Sequence, residues 1–206
     1  LDMVDEAMEG LDGCSNLMGV LLGNEIPADI VRWRGQRKVE GLLEELYTRA
    51  KEKGPDTLVG FSNYPSTEYL RLHFFDFLGF NVYLEDLSVL RDYLIRLRHL
   101  YPEKPLLLSE TGADTQSRSE EWQAYVISSS LQSAFEVGMA GGLVFSWTDE
   151  WHTGGHDIHD WSFGVVDERR VPKKSFAVLE DIFQQAPRIL PVSREPMISV
   201  VVATYN

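Results

Sequence analysis

The sequence predicts an α/β fold that forms part of a (β/α)8 barrel, on three observations. Short, continuously apolar runs alternate with segments of helical periodicity. Several of these runs end in a polar or aromatic residue suited to chemistry: Glu25, Asn63, Tyr83, Glu110 and Trp147. No run is followed by a phosphate-binding loop of the GxGxxG or GxxxxGK(S/T) type. Continuous apolar runs between helices suit a parallel sheet covered on both faces, which allows a doubly wound sheet or a barrel. Functional groups spread over the tips of several strands favour the barrel.

The elements follow in order. Leu1, Val4, Met8 and Leu11 fall at helical spacing, and Gly13 ends that pattern. Leu17 to Gly23 reads as a buried strand. Residues 28–53 repeat apolar positions at Ile30, Val31, Val39, Leu42, Leu43, Leu46, Tyr47 and Ala50, a helix stopped by Gly54-Pro55. Thr57 to Ser62 is a second strand, and Ser66 to His73 a short helix capped by Ser66. Phe77 to Tyr83 is a third strand and Asp86 to Leu100 a helix. Leu106 to Ser109 is a fourth strand, and Glu120 to Val137 a helix closed by Gly138. Gly142 to Trp147 is a fifth strand, and Lys173 to Gln184 the last helix.

A complete barrel has eight such units in about 250 residues. Five strands in a chain of 206 residues therefore predict a barrel truncated at its N-terminus, with strands four to eight present. Residues 1–185 form this part. Residues 186–196 carry Pro187, Pro191 and Pro196 and read as a linker. Residues 197–206 are a β-branched run, the strand of a further domain. The open edges of a five-strand sheet predict association, either with a missing barrel half or with another copy.

Composition narrows the function. With 32 acidic against 19 basic residues the formal net charge is -13, which opposes binding to nucleic acid or anionic lipid. A neutral ligand such as a carbohydrate suits this surface. No stretch of about 18 apolar residues occurs, so no membrane contact is expected within this segment. Cys14 is the sole cysteine, so no intrachain disulfide can form and the compartment stays open. No cofactor is expected. His152-Thr153-Gly154-Gly155-His156-Asp157-Ile158-His159-Asp160 contains metal-ligand residue types, but it is a glycine-containing loop without a helical i, i+4 pair. It reads as a substrate-facing loop, and no metal site is expected.

Two strand-end acids carry the chemistry. Leu17 to Gly23 runs into Asn24-Glu25, and Leu106 to Ser109 into Glu110-Thr111-Gly112. Burying an acid at a strand tip is costly without a task. A matched pair on separate strands is the equipment of glycoside hydrolysis, in which one carboxyl donates a proton and the other acts as carboxylate. Taken singly, Glu25 is also compatible with a helix N-terminal acid and Glu110 with a loop acid.

Gly23-Asn24-Glu25 resembles the acid/base motif of the large clan of retaining glycoside hydrolases built on (β/α)8 barrels. In that clan an Asn-Glu pair ends the fourth strand and the nucleophilic Glu ends the seventh. Counted in this way, the resemblance implies Glu25 as acid/base and Glu110 as nucleophile. Phe80-Asn81-Val82-Tyr83 resembles the sixth strand of family 2, where a Tyr bonds the nucleophile. Phe145-Ser146-Trp147 resembles the eighth, where a Trp floors the sugar site. Asp160 to Asp167, with Arg170-Val171-Pro172-Lys173, is similar to the segment that closes family 2 barrels. The resemblance implies a carbohydrate substrate bound by Asn24, Asn81, Tyr83, Trp147 and Trp151. It implies a retaining β-glycosidase or transglycosylase acting by double displacement. A non-catalytic carbohydrate-binding barrel is the alternative. Met197 to Asn206 resembles the opening strand of family 2 glycosyltransferases, which implies a bifunctional protein in polysaccharide synthesis.

Overall fold

A computed structural model describes residues 1–186 of the protein. The linker expected over 186–196 and the strand expected over 197–206 lie outside the described residues, Ala186 excepted. Five parallel strands form one sheet in sequential order: β1 (Val20–Asn24), β2 (Val59–Asn63), β3 (Phe77–Asn81), β4 (Leu106–Thr111) and β5 (Gly141–Val144). Helices α1 (Asp2–Gly10), α2 (Ala28–Arg34), α3 (Gln36–Lys53), α4 (Leu87–Leu100), α5 (Glu120–Glu136) and α6 (Lys174–Gln185) alternate with them. A parallel sheet with neighbouring strands in chain order, and α-helices in every connection but that between β2 and β3, is a partial (β/α)8 barrel.

The outer face of the sheet carries the core. Phe61, Leu78, Phe80, Leu106 and Leu108 pack beneath Val39, Leu43 and Ala50 of α3 and Leu90, Leu94 and Leu97 of α4. A second cluster joins Ile127 and Leu131 of α5 to Val165 and Ile182. Leu94 and Leu108 have no exposed surface, so truncating either to alanine costs about 2–5 kcal/mol. Asp86 caps α4 through the Ser88 and Val89 N–H groups, and Ser119 caps α5 through that of Trp122.

The inner face is built of small and polar residues. A Cβ on Gly60 would lie 2.7 Å from the Phe77 ring, and one on Gly79 would lie 2.5 Å from Ser109 Oγ. The two glycines leave room for the neighbouring inward side chains.

Three expectations need correction. The helix over 28–53 is two helices, α2 and α3, because Gly35 stands between them at φ 91°. The helix over Ser66–His73 is a single 3-10 turn, Pro65–Thr67, so Ser66 caps nothing and His73 lies off any helix. Asn63 captures that turn: its Nδ2 donates to the Thr67 carbonyl at 3.0 Å and its Oδ1 accepts from Thr67 Oγ1 at 2.6 Å. The loop after β5 carries a two-strand hairpin, β6 (Trp151–Thr153) and β7 (His156–Ile158), turned by Gly154 and Gly155 at positive φ.

Candidate active site

Strands of period two cannot place consecutive side chains on one face, yet Asn24-Glu25 and Ser109-Glu110 do approach the same inner cluster. Irregular pairing explains this. Register shifts fall between Leu21 and Asn24, between Phe80 and Asn81, and between Leu108 and Thr111. Such bulges re-aim side chains at the end of a strand. In β3–β4, Phe80 pairs with Leu108 but Asn81 pairs with Glu110, so Ser109 is skipped and Glu110 comes level with inward Asn81. In β1, Glu25 stands at φ 47°, a left-handed conformation that costs a non-glycine residue about 1–2 kcal/mol. Its N–H donates to the Ser62 carbonyl at 2.9 Å. Strain of this kind at a strand-tip acid marks a constrained site.

Asn81 ties the two acids into one arrangement. Its Nδ2 donates to Asn24 Oδ1 at 2.8 Å and to Glu25 Oε1 at 2.9 Å. Its Oδ1 accepts from Ser62 Oγ and from Ser109 Oγ, each at 2.8 Å. The amide is 2% exposed and both its ends are engaged.

Tyr83 stands two residues on, its hydroxyl donating to Glu110 Oε2 at 2.7 Å. Burial raises the Tyr83 pKa, and the hydrogen bond to Glu110 and the negative charges of Glu110 and Glu25 raise it further. Tyr83 is therefore a fixed hydroxyl donor at physiological pH. Glu110 is bound to this phenol, while Glu25 is bound to Asn81 two residues earlier on the same segment.

An aromatic cluster adjoins Tyr83. Its ring meets Phe145 at 6.4 Å and Phe163 at 5.9 Å, both edge-on. Phe145 lies 5.1 Å from Trp151, and Trp161 lies 5.8 Å from Trp151 and 5.3 Å from Phe163. Phe145, the residue after β5, forms a cis peptide bond with Ser146. Trp151 is partly exposed and borders a cavity of about 270 Å³ with His152, Asp157, His159 and Glu168. Trp147 stands apart: its ring rests on Phe176 of α6 at 6.0 Å and is exposed. The structure thus brings Glu25, Asn24, Asn81, Tyr83 and Glu110 together and attaches Trp151 through Phe145, while Trp147 turns toward α6.

Asp149 just beyond β5 has a structural task. Its carboxylate accepts from Lys173 Nζ at 2.8 Å and from the Gly164 N–H at 2.9 Å. Lys173 Nζ also reaches Thr115 Oγ1 at 2.8 Å and the Ser162 carbonyl at 3.3 Å. Asp114 collects the N–H groups of Gln116, Ser117 and Ser162. Although burial opposes it, these bonds hold the Asp114 carboxyl below its ordinary range. Together they fasten the loops after β4 and β5 around the aromatic cluster.

Ser62 and Ser109 are not singled out in the sequence, and Phe145, Trp161 and Phe163 stand there only within longer segments, with no role of their own. For the serines a signal existed, a hydroxyl directly after an apolar stretch of strand.

Comparison with solved structures decides the fold. A β-galacturonidase of glycoside hydrolase family 2 from Eisenbergiella tayi, bound to galacturonate, superposes with a TM-score of 0.73 at 21% identity, over 89% of this chain and 36% of that one. The β-glucuronidase of Faecalibacterium prausnitzii gives 0.75 at 19% identity, over 90% and 34%. That of Bifidobacterium dentium, complexed with coumarin-3-O-glucuronide, gives 0.72 at 18%, over 90% and 34%. The fold is that of a family 2 glycosidase barrel. The chain spans about a third of the length of these neighbours. No protein-family model matches the sequence, and no curated protein matches it. The likeness is therefore carried by the backbone.

Proposed function

We propose that the protein is a retaining glycosidase or transglycosylase, with Glu110 as nucleophile and Glu25 as general acid/base. One observation carries this reading: two strand-tip carboxylates are held by the same segment after β3, Glu110 by the Tyr83 hydroxyl and Glu25 by the Asn81 amide. The two-carboxylate reaction needs such asymmetry. The structural neighbours, a β-galacturonidase and two β-glucuronidases, support a glycosidase reading.

In the first step the Glu110 carboxylate bonds to the anomeric carbon as the bond to the leaving oxygen breaks. Glu25 delivers its proton to that oxygen. In the second, Glu25 takes a proton from water or an acceptor sugar, whose oxygen displaces Glu110 from the anomeric carbon. A retaining geometry sets the carboxyls about 5–5.5 Å apart. Tyr83 keeps Glu110 oriented. Asn24, whose Oδ1 is taken by Asn81, has its amide N–H groups to offer a sugar hydroxyl. Trp151 offers an indole face beside the cavity of about 270 Å³.

The test is Glu110→Ala in the full-length protein with an activated aryl glycoside. Hydrolysis should be abolished, and azide should restore turnover and give a glycosyl azide of inverted configuration. Full activity in this variant overturns the assignment.

A further inference from the structure

Resting on the reading of Glu25 as acid/base, we propose that Ser62 and Ser109 are positioning residues that lock the Asn81 amide and thereby aim Glu25 at the leaving group. Neither serine touches a carboxylate. Each is 2–6% exposed, and in each strand the residues before the serine are apolar or glycine. Their hydroxyl oxygens lie 2.7 Å apart, and each lies 2.8 Å from Asn81 Oδ1. Two hydroxyl protons serve this triangle of oxygens. The serines cannot both donate to each other, so at least one proton always points at Asn81 Oδ1.

That proton decides which way the amide faces. With Oδ1 toward the serines, Nδ2 faces Asn24 Oδ1 and Glu25 Oε1. Turned over, the amide would set its oxygen against the Glu25 carboxylate and lose both bonds to Asn24 and Glu25. Without the hydroxyls nothing in this layer distinguishes the two amide orientations from below. Glu25 in turn relies on this amide, since its side chain has no other hydrogen-bond partner among the described residues and its backbone is held at φ 47°. Ser62 acts on it twice, through the Asn81 amide and through its own carbonyl, which accepts the Glu25 N–H.

The surrounding sequence accommodates the device. A Cβ at Gly79 would lie 2.5 Å from Ser109 Oγ and 3.3 Å from Ser62 Oγ, so glycine is required beneath the pair. Buried hydroxyls are unfavourable unless bonded, and apolar residues would serve a purely stabilising layer better.

The test compares Ser62→Ala, Ser109→Ala and their double variant in the full-length protein. Substrates are aryl glycosides ranging from 2,4-dinitrophenyl to 4-methoxyphenyl. Only the poor leaving group needs Glu25 for its departure, and kcat/KM reports the step that forms the glycosyl-enzyme. Each single variant retains one hydroxyl on Asn81 and should stay near wild type on both substrates. The double variant should lose about tenfold more kcat/KM on the 4-methoxyphenyl than on the 2,4-dinitrophenyl substrate. A general packing defect would lower both equally. Glu25→Ala is run beside it. If Glu25→Ala shows the leaving-group dependence and the double variant loses both substrates equally, or neither, the positioning role is overturned while the function stands. If Glu25→Ala itself shows none, the acid/base assignment falls and this inference with it. Should the double variant not fold, Ser62→Ala/Ser109→Cys, which fills the space with a far weaker donor, is measured instead: a selective loss on the poor leaving group supports the role, and an equal loss or none overturns it.

Discussion

Replacing Lys173 with methionine should destabilise the barrel more than almost any other polar substitution in the chain. The Lys173 and Asp149 side chains are 7% and 11% exposed, and their charged atoms meet at 2.8 Å. Methionine keeps most of the aliphatic stem in place, so little packing is lost. What is lost is the cation. Asp149 would remain buried with the Gly164 N–H as its remaining partner, and Thr115 Oγ1 would lose a donor. Breaking a buried ion pair from one side costs about 3–5 kcal/mol, because the surviving charge stays desolvated. Urea unfolding of the full-length protein, followed by tryptophan fluorescence, reads this directly, since Trp151 and Trp161 sit beside the clamped loops. The double variant Lys173→Met/Asp149→Asn should recover part of the loss by removing the orphaned charge. A loss below about 1 kcal/mol in the single variant would refute the buried-pair reasoning.

Two further outcomes are expected. Tyr83→Phe removes one hydrogen bond to a carboxylate at a half-exposed site, worth about 1.5 kcal/mol, and should lower kcat on an aryl glycoside about tenfold; an unchanged kcat would show that Tyr83 does not orient Glu110. Asp114→Asn should cost about 1 kcal/mol near neutral pH, by loss of charge-assisted bonds to three N–H groups. Because the folded pKa of Asp114 lies below the ordinary 3.8, its stabilisation is complete above that value and is lost as pH falls through the folded pKa. The gap between wild type and variant should close in acid, and a gap that widened there would contradict the assignment.

The strands were legible because each is a run of apolar residues bounded by turn residues, and the helices because their apolar positions recur every three or four residues. Boundaries moved by a few residues, as for β5, which ends at Val144 rather than Trp147. The break at Gly35 was missed because apolar spacing continues across it while the backbone does not. Asn81 entered as a sugar ligand only through the family resemblance, and its hydrogen-bond partners could not be read from the sequence. Its burial depends on Ser62 and Ser109, one contributed by the strand before it and one by the strand after. The pairing of Asp149 was not legible because Lys173, its partner, lies 24 residues away.

By itself, the sequence determined the alternation of strands and helices, the parallel sheet and the location of Glu25 and Glu110 at strand tips. These follow from local periodicity and from the cost of burying polar groups. Tertiary structure alone decided which side chains face inward at those tips. Register shifts in three strand pairings and the left-handed backbone of Glu25 bring neighbouring residues onto one face. Such irregularities cost energy locally and persist only where contacts from other strands hold them. No periodicity within a single segment encodes those contacts.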